Sequence, residues 1–355
     1  MEAVVLVGGQ GTRLRPLTLS TPKPMLPAAG VPFLTHQLAR ARAAGVTRAV
    51  LATSYRAEVF EEHFGDGASL AMHLDYVTER EPMGTGGGIR NVADRLTSAP
   101  DEPVIVLNGD ILSGHDLAAQ VAAHQAAQAA VTLHLVHVAD PRAFGSVPTG
   151  ADGRVTAFVE KSPEPVSNQV NAGCYVFTRS VIDGIPTGRP VSVERETFPQ
   201  LLAAGAVVQG FVDDAYWLDV GTPQAFVRAS ADLVRGVLAS PAVPRIGAAL
   251  IRRSARVDAS ASVTGGSVVD ADATVAAGAR VTSSIVMPGA SVGAGCVIES
   301  SVVGRDAVIE AGCVVADSIV GDGARIGAGN ELRAGARVWP EVTLPDRALR
   351  FSSDV

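Results

Sequence analysis

From Val257 onward, apolar residues recur at every sixth position: Val257, Val263, Val269, Val275, Val281 and Met287. Single-residue slips reset the count to Val292 and Ile298, then Val303, Ile309 and Val315, then Val320, Ile326, Leu332, Val338 and Leu344. Small residues and glycine fill the intervals. A six-residue period of this kind predicts a parallel β-helix with three short strands per coil and about five coils. The coils are expected over 257–345, with a C-terminal tail over 346–355. Pro241 and Pro244 mark 241–256 as a linker, which leaves 1–240 as a separate domain.

A stack of coils ends in exposed strand edges that must be covered. The β-helix is therefore expected to mediate assembly, most simply into a homo-oligomer, or to position the N-terminal domain. Cys296 and Cys313 hold the same place in adjacent coils, Ala-Gly-Cys-Val-Ile and Ala-Gly-Cys-Val-Val. A stacked interior ladder accounts for them better than a metal site, which needs more ligands.

The N-terminal domain opens with an apolar run, Ala3 to Val7, that reads as a buried strand and breaks into Gly8-Gly9-Gln10-Gly11-Thr12-Arg13. Three glycines in four positions let the backbone bend with its N–H groups exposed, which makes a concave anion site. A following helix or turn would add its positive end. Arg13, Arg15 and Lys23 stand close by in sequence, and Lys23 lies between two prolines that favour an extended, pre-set backbone. Such a stretch suits a polyphosphate. No Lys-Ser or Lys-Thr follows the glycines, so it is not a Walker A loop, and Leu14 stands where a dinucleotide fingerprint needs its third glycine.

GGQGTRLRPLT followed by TPKPMLP closely resembles the N-terminal signature of the sugar-1-phosphate nucleotidyltransferases, also called nucleotide-sugar pyrophosphorylases. The resemblance implies transfer of a nucleoside monophosphate from a nucleoside triphosphate to a sugar 1-phosphate, with Mg²⁺ as cofactor. It places Leu6, Gly8, Gly9, Gly11, Thr12 and Arg13 at the nucleotide, and gives Arg13 and Lys23 catalytic roles. The C-terminal repeat, in turn, resembles the left-handed hexapeptide form of the β-helix.

Composition agrees with a soluble two-domain protein: 355 residues, 47% hydrophobic and 18% charged. A formal charge of −7 without a basic run argues against a nucleic-acid partner. Glu2 stands where a secretory signal would carry Lys or Arg, and the longest alanine-rich stretch holds too many polar residues to span a bilayer. No membrane association and a cytoplasmic location are expected, and three cysteines without close pairing fit a reducing compartment.

Strand-like and helix-like segments alternate over 1–240, the pattern of a Rossmann-like, mainly parallel α/β sheet with helices on both faces. Helices are expected over 34–44, 56–64, 89–96, 117–128, 192–202 and 223–238, with Asp116 and Thr222 as N-caps. Strands are expected over 46–53, 74–78, 104–107, 131–138, 155–161 and 170–177.

Several candidate site residues fall at element ends. The second glycine cluster, Gly84-Thr85-Gly86-Gly87-Gly88, follows Glu79, and in the family the matching stretch closes over base and ribose, which marks Glu79, Gly84 and Thr85. A glutamate has a use there, because guanine alone offers two adjacent donors that one carboxylate can accept together. Asp110 follows the apolar strand Val104–Leu107, where ligands of open α/β sheets collect. The resemblance makes it a Mg²⁺ ligand, with Asp219 of Trp-Leu-Asp-Val-Gly-Thr-Pro as the second. It also carries Gly145, Glu160 and Lys161, and Asn171 and Gly173 of Val-Asn-Ala-Gly, to the sugar phosphate.

A sugar 1-phosphate already carries an ionised oxygen, so attack on the α-phosphorus needs no general base. It needs two repelling anions aligned and charge on the leaving pyrophosphate stabilised. Among the family's branches the motifs look most like the one that takes GTP and mannose 1-phosphate. A glucose-1-phosphate thymidylyl- or uridylyltransferase is the alternative enzyme, and a catalytically silent paralogue that binds nucleotide sugar and regulates a partner is an alternative of another class. An acyltransferase, also built on β-helices, commonly uses a His base, and all seven histidines lie before residue 138.

Overall fold

The computed structural model describes residues 1–350, so the last five positions of the expected tail lie outside the described residues. The chain forms two compact units: Met1–Gly9 with Gln37–Trp217, and Gln10–His36 with the chain from Leu218 onward.

The first unit is built on a mixed sheet. Glu2–Leu6 lies at its centre, parallel to Arg48–Thr53 on one side and to Pro103–Asn108 on the other, and His73–Thr78 extends it in parallel. Ala3, Val4 and Val5 are fully buried, as expected for a strand covered on both faces. Gln169–Thr178 adds antiparallel to Pro103–Asn108 and bridges to Val131–His137, which pairs in parallel with Val208–Val212. The core beneath combines the sheet's valines and leucines with Ile89, Tyr175, Phe177 and Phe198.

The largest departures from expectation in this unit each have a local reason. The helix expected to begin at Ile89 spans Gly84–Asn91 instead and runs through the glycine cluster. Glycine disfavours a helix in isolation, but here the Val191 backbone crosses it, and its carbonyl accepts from the N–H groups of Gly86 and Gly87. A Cβ on Gly84 would lie 2.6 Å from that same oxygen. The strand expected over 155–161 is reduced to Val159–Glu160, paired with Gly145–Ser146. Val155 N–H bonds to Val208 and Thr156 N–H to Pro148, so the backbone serves two neighbours and forms no single ladder. The helix expected over 192–202 starts as a π-type turn, Val193–Thr197, before Phe198–Ala203, with Ser192 accepting from Arg195 N–H.

The second unit contains the repeat. Short strands from Ala249–Ile251 to Thr343–Leu344 stack into three parallel sheets of six, six and five strands, consistent with a left-handed β-helix of five complete coils and two further strands. Val269, Val286, Val303, Val320 and Val338 stack in register along one side. Val286, and not Met287, therefore holds the ladder position; Met287 is buried outside it. The slips in the count are one short side of the coil. At its corner Ser283, Ser300 and Asp317 adopt positive φ, and buried Ser267, Ser284, Ser301 and Ser318 form a second ladder. Each of the first three hydroxyls accepts the N–H of the next serine at 3.0–3.1 Å, which satisfies backbone donors where the tight turn breaks the strand pairing. Cys296 and Cys313 are buried one coil apart, and each thiol donates to a backbone carbonyl.

Also in this unit, Thr222 caps the helix Pro223–Arg235, which ends three residues before the expected Leu238 because Gly236 takes a left-handed φ of 74°. Among the described residues no helix is long and apolar enough to cross a membrane.

Candidate active site

In the first unit Leu6, Gly8, Gly9, Glu79 and Asp110 lie at or just beyond the carboxyl ends of the parallel strands. Gly109 N–H donates to the Leu6 carbonyl at 2.9 Å, and a Cβ on Gly109 would lie 2.5 Å from that oxygen. Only glycine lets the Pro103–Asn108 strand exit so close to Glu2–Leu6, and this fixes where Asp110 begins. The Ser54 hydroxyl donates to the Gly8 carbonyl and holds the first half of the glycine bend.

Gly88 is where Leu6 and Glu79 meet. A Cβ there would stand 2.6 Å from Glu79 Oε1 and 3.4 Å from Leu6 Cδ2. Burial pushes the Glu79 carboxyl above its ordinary pKa, opposed by the Met83 N–H that it accepts at 3.3 Å. Thr85 has an internal partner, since its hydroxyl donates to Glu194 at 2.7 Å and accepts from Val193 N–H. It ties the glycine helix to the 193–197 turn.

Glu160 and Lys161 form an ion pair at 3.6 Å, with Glu160 18% exposed and Lys161 63% exposed. A Cβ on Gly145 would meet Glu160 Oε2 at 2.8 Å, so Gly145 is the surface against which that carboxylate rests. Asn171 holds a bulge in Gln169–Thr178: its amide donates to Tyr175 Oη at 2.8 Å and its oxygen accepts Gly173 N–H at 3.1 Å. Gly173 takes φ 74°, and a Cβ on it would meet Asn108 Nδ2 at 2.8 Å. Trp217 Nε1 donates to Ala172, tying the Trp-Leu-Asp motif to the same bulge. Asn108 itself was not singled out from the sequence. It ends its strand with a buried side-chain oxygen that has no hydrogen-bond partner among the described residues.

The second unit carries Arg13 and Lys23. Gly11 adopts φ 59° and is followed by a single 3-10 turn, Thr12–Leu14, so no α-helix dipole supports the bend. Thr18, which no sequence pattern marks, is buried and donates to the Gly11 carbonyl at 2.9 Å. Lys23 does not sit in extended chain. It opens a 3-10 turn, Lys23–Met25, because the fixed φ of Pro24 suits a first helical turn as well as an extended strand. A Cβ on Gly11 would lie 3.0 Å from the Lys23 Cβ, so bend and lysine are in contact.

Arg13 and Asp219, far apart in sequence, border one spot over Gly221. A Cβ there would stand 2.6 Å from Arg13 Nη2 and 2.9 Å from Asp219 Oδ1. With the roles that the family resemblance gives Arg13 and Asp219, Gly221→Ala is expected to displace both side chains and to lower kcat about a hundredfold, since an error of roughly 1 Å in a catalytic group costs that much. Steady-state kinetics beside a thermal melt measures it; a variant with the wild-type kcat contradicts this role for Gly221.

The two stacked histidines belong to the core. His115 stacks on His134 at 3.7 Å in the core, and burial, with the His134 and Arg40 charges, pushes His115 down to about 3.

A family model described as Nucleotidyl transferase matches residues 2–236, and one described as GMPPB C-terminal domain matches residues 245–347. The chain belongs to the nucleotidyl transferase family. Among its relatives, a mannose-1-phosphate guanylyltransferase of Mycobacterium tuberculosis is 57% identical over 100% of this chain and 99% of its own. Mannose-1-phosphate guanylyltransferase 1 of Arabidopsis thaliana is 35% identical over 80% of this chain and 79% of its own. HddC from Yersinia pseudotuberculosis, solved in complex with GMP-PN, covers 65% of this chain and 99% of its own at 28% identity and TM-score 0.55. The chain is thus a nucleotidyltransferase, with a catalytic sheet and a C-terminal domain that both match described families.

Proposed function

We propose that this nucleotidyltransferase transfers the guanylyl group of GTP to mannose 1-phosphate, giving GDP-mannose and pyrophosphate. The observation that carries the reading is the 57% identity, end to end, with the Mycobacterium tuberculosis mannose-1-phosphate guanylyltransferase. The half-buried Glu79 carboxylate, held beside Leu6, supports the choice of base, because it can accept from guanine N1–H and the 2-amino group together.

In this reading an oxygen of the mannose phosphate attacks the α-phosphorus, the new P–O bond forms, the α–β anhydride bond breaks, and its electron pair leaves with pyrophosphate. The Gly8–Thr12 bend and Arg13 hold the triphosphate. Lys23 faces the α-phosphate, and Lys161 steadies the sugar phosphate beside Glu160, Gly145, Asn171 and Gly173.

Among the described residues no group of three or more His, Cys, Asp or Glu could hold a metal ion. Two carboxylates suffice for Mg²⁺, which takes hard oxygen ligands and fills its shell with water and substrate phosphates. Asp110 and Asp219 would be its protein ligands, and the bound ion would screen the repulsion between the two substrates. A cytoplasmic location belongs to the same reading.

The test is pyrophosphate release with GTP, ATP, UTP and dTTP crossed against the 1-phosphates of mannose, glucose and N-acetylglucosamine. GTP with mannose 1-phosphate is expected to give the highest kcat/KM. A maximum with dTTP or UTP and glucose 1-phosphate overturns the assignment, and no turnover with any pair overturns catalysis itself.

A further inference from the structure

The segment Gln10–His36, which carries Gly11, Arg13 and Lys23, forms one compact unit with the β-helix. Named bonds fasten it there. Arg337, in the strand Arg337–Val338, donates from Nη1 to the Arg15 carbonyl at 2.9 Å. Asp322, one coil edge away, accepts the Ser20 hydroxyl on Oδ2 at 3.0 Å, while its Oδ1 accepts Arg305 N–H at 2.9 Å. One carboxylate therefore grips the coil with one oxygen and the catalytic segment with the other. At the first coil Arg252 donates to the Gly30 carbonyl and pairs with Asp270 at 3.6 Å.

The element that follows Asp219 is fastened to the same parts. The helix Pro223–Arg235 lies so close to Gly266 that a Cβ there would meet the Ala231 carbonyl at 2.5 Å. On the same helix, the Ser230 hydroxyl accepts Ala29 N–H at 3.0 Å.

We infer that the β-helix is a platform for the phosphate-handling segment, and that Asp322 and Arg337 are positioning residues for nucleotidyl transfer although neither touches substrate. The inference rests on the nucleotidyl-transfer reading above. Both bonds are solvent-exposed, and exposed polar pairs add little to stability. Their effect therefore falls on where Arg13 and Lys23 stand, and phosphoryl transfer is sensitive to such placement.

The experiment compares full-length wild type, Asp322→Ala/Arg337→Ala and Arg337→Lys by kinetics with GTP and mannose 1-phosphate, thermal melting, and amide hydrogen exchange. The double variant is expected to lose about tenfold in kcat, with KM for the sugar phosphate and the melting temperature unchanged and faster exchange over residues 10–26. Arg337→Lys, which keeps a donor, is expected to stay close to wild type. Wild-type kcat and exchange in the double variant overturn the inference, as does a loss of rate that only follows a lower melting temperature. An inactive wild type overturns the nucleotidyl-transfer reading instead, and exchange over 10–26 still reports whether the anchors hold.

Discussion

Asp219→Asn is expected to lower kcat about a thousandfold while KM for the triphosphate changes only a few-fold. The expectation follows from where charge develops. Both substrates are anions before they meet, and in the transition state additional charge moves onto the leaving pyrophosphate. A carboxylate that helps to hold a divalent ion acts most strongly at that point, so its loss appears in kcat more than in binding. A thousandfold corresponds to about 4 kcal/mol, a magnitude within what one electrostatic group contributes in a water-poor site. Asp110→Asn is expected to behave alike. Isosteric asparagine keeps the volume at both places, so lost rate with an unchanged melting temperature reports charge. Near-wild-type kcat in both variants contradicts the assignment.

Glu79→Gln carries the second large effect, and it separates base recognition from chemistry. The carboxamide replaces one acceptor with a donor that would face two guanine donors. Losing charge-assisted hydrogen bonds of about 1.5–3 kcal/mol each, partly offset by water, corresponds to roughly a hundredfold in kcat/KM for GTP, mostly through KM. The pH dependence has a definite sign. Burial raises the Glu79 pKa, so the acceptor form is lost at a higher pH than for an ordinary glutamate, and kcat/KM for GTP falls as pH drops through that raised value. Glu79→Gln lacks this limb. For stability the sign is that of a raised acid: between the ordinary and the raised pKa the unfolded chain has already lost its proton, so rising pH removes stability there. A variant with unchanged KM for GTP and an unchanged pH profile would remove Glu79 from the base site.

The parts of the fold that could be read in the sequence are those governed by short-range repetition. Recurrence at every sixth residue identifies the β-helix, and alternating segments identify the sheet. Met287 was misplaced because one side of the coil is a residue shorter than the others, and the device that permits this, the Ser267–Ser284–Ser301–Ser318 ladder, uses residues that look like filler in a sequence. The sequence opens this helix only at Ile89 because the stability of the Gly84–Asn91 helix comes from Val191, over a hundred residues away. Tertiary contact overrode local propensity there.

The candidate site was legible through its charged residues and less so through its supports. Arg13, Lys23 and Asp110 stand out by charge and position, and Glu160, Lys161 and Asp219 only through the motifs shared with the family. Thr18, Asn108 and Gly221 do not, since a buried threonine, a strand-end asparagine and one more glycine carry no periodic or charge signal. What they do becomes visible only when the Gly11 carbonyl, the Asn171–Gly173 bulge and the Arg13 guanidinium are seen beside them.

The central claim is that Asp110 and Asp219 serve one ion in one chemical step, and a double-mutant cycle on kcat measures it most directly. Groups that act as a unit are non-additive. The account predicts that Asp110→Asn/Asp219→Asn is hardly slower than the worse single variant. A double variant whose loss is the product of the two single losses would show two independent roles and contradict the account.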